Sequence, residues 1–134
     1  MESMSAVLLD GNEIIIGVDK DNGNFWINVT SSDIPVLMKD GTEAVLVKSG
    51  VVVNVMSSKI EIEERYGVKL MKTVFLDNPV LEAIEEEYPE AFIIGSTDSA
   101  KAYLGRVKEM IVAPGFESEP PNKRKMRIDR VNSY

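Results

Sequence analysis

KLMKTVFLDNPVLEAIEEEYPEAFIIGSTDSAKAYLGRVKEMIVA, residues 69–113, is the stretch whose reading decides the fold expected of this chain. Three apolar runs, Lys69–Leu76, Ala91–Gly95 and Glu109–Ala113, alternate with two helical patterns. Asn78 is placed to cap the first helix, and Pro79 fits its first position, where a missing N–H leaves no bond unmade. Val80, Leu81, Ile84 and Tyr88 then share one face, and Pro89 stops the helix. The second helix is expected over Asp98–Leu104, with Ser96 or Thr97 as its cap and Gly105 closing it. Strand, helix, strand, helix, strand with short links predicts right-handed parallel crossovers.

Upstream, the pattern is antiparallel. Glu13–Val18 is a β-branched run, and Phe25, Ile27 and Val29 alternate with Trp26, Asn28 and Thr30, the period of a half-buried strand. Asn22-Gly23 between them favours a tight turn, and Asp10-Gly11-Asn12 marks a similar turn after Ala6–Leu9. Ser32-Asp33-Ile34-Pro35 reads as the start of a short helical turn ended by Asp40-Gly41. Ala44–Lys48 and Val51–Met56 read as a second hairpin about Ser49-Gly50. Ser58 and Glu61 suit a helix capping box, although Ile60 and Ile62 also fit a strand. The expected class is therefore α/β, or α+β: a mixed sheet of N-terminal antiparallel hairpins joined to a C-terminal β-α-β-α-β parallel unit. Residues 1–116 are expected to form one domain, and 117–134 an extended basic C-terminal arm.

Composition narrows the chemistry. The 134 residues include no cysteine and no histidine. That excludes thiol nucleophiles, disulfides, imidazole bases, and zinc held by cysteine or histidine. Catalysis would have to rest on a carboxylate such as Asp77 or an amine such as Lys72. No cofactor fingerprint is present, and no metal site is expected; Asp19–Asn24 superficially suggests a calcium loop but lacks the required glycine and glutamate positions. No apolar run is long enough to span a bilayer, and Met1–Ser5 carries an acid where a secretory signal has basic residues, so a cytoplasmic protein without membrane partners is expected.

Charge divides unevenly. Residues 1–116 carry a net −9 and residues 117–134 a net +2. An acidic body repels phosphates, which argues against nucleic acid as a partner. The basic tail, anchored by Met126, Ile128 and Val131, is instead expected to dock on the acidic body of a neighbouring copy, giving a homo-oligomer.

In open parallel sheets ligands bind beyond the carboxyl ends of the strands. With three parallel strands, that edge would gather Asp77 and Asn78, then Ser96, Thr97 and Ser99, then Gly115 beside Pro114. The hydroxyls and amides around Ser96 suit a small anion or nucleotide at a helix start, although Asp98 opposes one. Thr73–Asp77, with Ser96 ending the next strand, is similar to the phosphoacceptor strand of response-regulator receiver domains. Ala113-Pro114 stands where that family has Lys-Pro, and hairpins replace its upstream acid pair, so the chain is not assigned to it. Two functions follow from the sequence: a small-ligand-binding domain using these loops, or a non-catalytic interaction or assembly module using the C-terminal arm.

Overall fold

The computed structural model describes residues Met1–Tyr134. The chain is predominantly β, with ten strands and two short α-helices. In order these are β1 (Glu2–Val7), β2 (Glu13–Val18), β3 (Phe25–Asn28), β4 (Ile34–Leu37), β5 (Glu43–Leu46), β6 (Ser57–Arg65), β7 (Val68–Phe75), α1 (Pro79–Glu87), β8 (Phe92–Ile94), α2 (Thr97–Ala102), β9 (Glu109–Val112) and β10 (Met126–Asn132). No helix is long and apolar enough to cross a membrane.

The strands form three sheets. The first has the order β1-β2-β3-β8, the second β5-β4-β10-β9, and β6 and β7 pair only with each other. Alternation along β3 and β8 sets the layering. Ile27 and Ile93 face a core shared with Leu81 and Ile84 of α1 and with Ala100 and Tyr103 of the α2 region. Trp26 and Ile94, one residue away, face the opposite side and meet Val36, Leu46 and Ile128 of the second sheet. The first sheet is thus the middle layer, with helices on one face and a sheet on the other, as a period of two requires when both faces are buried. Asn28, fully buried, ties the two sheets: its Nδ2 donates to the Leu46 carbonyl at 3.1 Å and to the Ser32 carbonyl at 2.8 Å.

Close packing of the layers depends on two glycines. A Cβ at Gly17 would lie 2.7 Å from Leu46 Cδ1, and one at Gly95 would lie 2.5 Å from Val107 Cγ1. Neither distance is tolerable for carbon atoms in a dense interior.

Several expectations hold. The β1–β2 and β2–β3 antiparallel pairs have the expected turns. Asn78 caps α1 with Pro79 following, and Ser96 caps α2.

The expected parallel unit is not formed, and the α/β reading gives way to a sheet-rich one. β7 leaves the body with β6, β8 runs parallel to β3, and β9 lies antiparallel to β10 in the other sheet. Ser32–Asp40 is no helical turn. Asp33 accepts a bond from the Lys48 N–H at 2.9 Å, and the following residues form β4, which pairs antiparallel with β5. Pro35 is accommodated because the parallel pairing with β10 begins one residue later, at Val36. Val51–Met56 is irregular rather than a strand. Residues 117–134 are also not a free arm. Met126–Asn132 is an inner strand of the second sheet, with Ile128 buried in its core.

Candidate functional site

The residues expected at a ligand site do not gather at one edge. Asn78 and Ser99 converge on the irregular segment before β6. Asn78 Nδ2 donates to the Asn54 carbonyl at 3.0 Å, while its Oδ1 caps α1 by accepting from the Leu81 N–H at 3.1 Å. Ser99 Oγ donates to the Val53 carbonyl at 2.8 Å, and Ser96 Oγ, 3.1 Å from Ser99 Oγ, also accepts from the Ser99 N–H. Asn78 and Ser99 are both buried, so their polar atoms are occupied in holding residues 53 and 54.

Thr97 turns to the other side. Its hydroxyl donates to Glu109, which also accepts from Asn132 and Tyr134. Burial pushes the Glu109 carboxyl up, but these three bonds together hold it below its ordinary value. Asp77 is exposed, and its charge contributes to raising the Arg106 guanidinium, whose main partner is Glu85 at 2.6 Å. Gly115 belongs to the turn after β9, where its N–H donates to Glu117 at 2.8 Å. Pro114 and Ser96 line separate cavities. The single cleft expected from parallel strands is absent, because β7 pairs only with β6 and β8 meets the segment before β9 at one parallel bridge, Ile94 with Lys108, before β9 joins the other sheet.

A cavity of about 400 Å³ does open beside Ser96, between Thr30, Ser31, Asn54 and Asp98. Its one charged lining residue is an acid. No group of three or more carboxylates is placed to hold a metal ion.

The feature that the sequence reading missed is the β6–β7 hairpin. All nine residues of β6 are exposed, and only Leu70 and Val74 of β7 are half-buried. Of the fifteen large apolar residues exposed on the whole chain, eight lie between Met56 and Leu76. They are not confined to one face. Register places Ile60 opposite Lys72, and Glu61 opposite Met71, with an extra residue, Ile62, forming a bulge before Glu63 pairs with Leu70. Ile60, Leu70 and Val74 therefore share one face with Val68, and Met71 and Phe75 lie on the other. At the tip, Tyr66 and Gly67 have φ of 50° and 78°, as a two-residue turn of the I′ type requires. Tyr66 is fully exposed there.

The root of the hairpin is built as tightly as its shaft is bare. The Leu76 N–H donates to the Met56 carbonyl at 2.7 Å, closing the two strands where they leave the body. Tyr103, 4% exposed, brings its hydroxyl out of the core to the same point. There the hydroxyl accepts from the Met56 N–H at 3.1 Å and lies 3.3 Å from the Leu76 carbonyl. Asn78, Ser99 and Tyr103 thus act together as a clamp on residues 53–56 and 76. Comparison with protein-family models, curated proteins and solved structures finds no match.

Proposed function

We propose that this protein is a non-catalytic interaction module whose docking element is the β6–β7 hairpin. The observation that carries this reading is the concentration of exposed apolar side chains on a two-stranded ribbon that no other element of the chain covers. An isolated two-stranded hairpin is marginal in water, and unpaired strand edges invite pairing with another chain. A ribbon clamped to a rigid body by three buried polar side chains is suited to presenting such edges to a partner. Tyr66 supports the same reading. Turn chemistry alone favours Asn or Gly at its left-handed position, where a bulky residue costs about 1–2 kcal/mol. An exposed aromatic kept at that cost is the residue type that anchors interfaces.

The C-terminal arm, given this role from the sequence, is replaced by the hairpin. The test is a photo-crosslinking amino acid at Ile62, activated in the producing cells and in purified protein. Adducts at defined mass, lost when Tyr66 and Phe75 are both changed to serine, support the reading. Absence of any adduct under both conditions overturns it.

A second reading retains the small ligand, at the cavity beside Ser96 and Asp98. The acidic lining favours a neutral or cationic molecule over the anion first expected. Screening polar metabolites by thermal shift, with and without Asp98→Asn, tests it: a stabilisation that depends on Asp98 supports it, and none counts against it.

A further inference from the structure

We propose that the hairpin's partner is a second copy of this chain, and that β7 of one copy adds to the free edge of β1 in the next. The inference rests on the docking role just given to the hairpin, and names its occupant.

Two unpaired edges carry it. β1 is the outermost strand of the first sheet, so one side of Glu2–Val7 has no strand partner. β7 has no strand partner on the side away from β6. Within one chain the two edges do not meet, because the hairpin forms a sheet of its own. Between chains each can satisfy the other's backbone groups, which is β-strand addition.

Charge selects this pair of edges. β7 carries Lys69 and Lys72 and no acid. Residues 1–13 carry Glu2, Asp10 and Glu13 and no lysine or arginine. Lys72 and Glu13 have no ion-pair partner within the chain, Lys69 reaches Glu61 only at 3.6 Å, and Glu2 meets Lys20 in an exposed pair. The contrast extends to the whole molecule. Residues 57–75 have four basic side chains against three acidic, net +1, and the remainder of the chain is net −8. One chain therefore carries both halves of a complementary surface.

The apolar surfaces agree as well. At the end of β1 and just past it, Val7 and Leu9 are 61% and 80% exposed. Beside them a groove of about 480 Å³ is lined by Ala6, Val7, Ile14, Ile15 and Gly50, with Glu13 at its side. Met71 and Phe75, on one face of β7, are apolar groups of a size to enter it while Lys69 and Lys72 meet the acids. Because the two surfaces differ, the contact is heterologous, and repetition produces a ring or an open fibre rather than a closed two-fold dimer.

The experiment is sedimentation velocity on the full chain at low salt and at ~1 M salt, where screening is nearly complete beyond ~3 Å. Species larger than a dimer at low salt, diminished at high salt, are expected. Lys69→Glu with Lys72→Glu should weaken self-association at least ~10-fold, since like charges meet across the contact. Adding Asp10→Lys and Glu13→Lys to that variant should restore it. All four positions are on the surface; emission from buried Trp26 verifies the body, and hydrogen exchange of the β6–β7 amides verifies the hairpin, in each case. A photo-crosslinker at Met71 should join to a peptide within residues 1–15 of another copy. A chain that stays monomeric at low salt while the Ile62 crosslinker captures a different protein overturns the second-copy assignment and leaves the docking role standing. Self-association unaffected by the charge reversal, or crosslinks elsewhere, overturns the β7–β1 contact.

Discussion

The Tyr103 hydroxyl accepts a hydrogen bond from the Met56 backbone N–H at 3.1 Å, joining a ring buried in the core to the first residue of the hairpin root. The same oxygen lies 3.3 Å from the Leu76 carbonyl on the returning strand. One phenol thereby bonds the body to both strands of the hairpin root.

Tyr103→Phe keeps the ring and removes that coupling. A loss of about 1 kcal/mol in stability is expected, typical of one buried hydrogen bond with a partner left unsatisfied. Hydrogen exchange should quicken at Met56 and through residues 57–75, while amides of β2 and β3 change far less. Uniform quickening across the chain would mean that the hydroxyl serves the core rather than the hairpin.

Asn78→Ala removes both a helix cap and the bond to the Asn54 carbonyl. The two together are worth about 2 kcal/mol, read as the urea midpoint of Trp26 emission. Trp26 is the only tryptophan and is buried against Phe92, so its emission reports the body and not the hairpin. An unchanged midpoint would contradict the structural role given to Asn78.

Tyr66→Asn relieves the left-handed strain at the hairpin tip. The hairpin should gain about 1 kcal/mol in local stability, seen as slower exchange of the β6–β7 amides. Crosslinking through Ile62 should fall at the same time, because the exposed aromatic is lost. A gain in both would remove Tyr66 from the interface.

What was legible in the sequence had local chemistry behind it. Asn78-Pro79 and Ser96 announce helix starts whatever surrounds them, and Gly23 announces a turn through its φ of 73°. Pairing partners were not legible. Lys69–Leu76 has the composition of a buried strand, and only tertiary context decides that it lies in solvent. Its partner was obscured twice: the turn is Tyr-Gly rather than Asn-Gly, and Ser58 with Glu61 imitates a helix start where Ile60 and Ile62 alternate as a strand. β10 was hidden in the same way. Its register shifts between Met126 and Val131, so the apolar residues lose their period and read as scattered anchors on a basic tail. Asn78, Ser96 and Ser99 were singled out for their residue types, but hydroxyls and amides also suit the clamp that the structure forms with two of them. Tyr103 falls inside the helix expected over Asp98–Leu104, and nothing in a sequence shows where a phenol points.

Acid should loosen the edge where β9 and β10 meet α2. Glu109 is held below its ordinary value of 4.5 in the folded chain, so its contribution is complete above that pH and is lost as pH falls through the lower folded value. Glu109→Gln should therefore narrow the stability gap to wild type as pH drops below 4.5. Tyr134, raised above 10.0 by its bond to Glu109, acts in the opposite sense: its contribution is present below pH 10.0 and lost as pH rises through the folded value. A gap that does not change with pH would show that Glu109 is not held as described.

The central claim is that the hairpin is a docking element carried by the body and not part of what holds the body together. Met56 and Leu76 are hydrogen-bonded neighbours, so Ser57–Phe75 can be replaced by Asn-Gly without stretching the chain. The most direct test is the thermal midpoint of Trp26 emission in that shortened protein. A midpoint within about 5 °C of the intact chain, a change of about 1–2 kcal/mol, is predicted. A shortened chain that unfolds more than about 10 °C lower, or does not fold, would contradict the claim and make the hairpin a structural member of the fold.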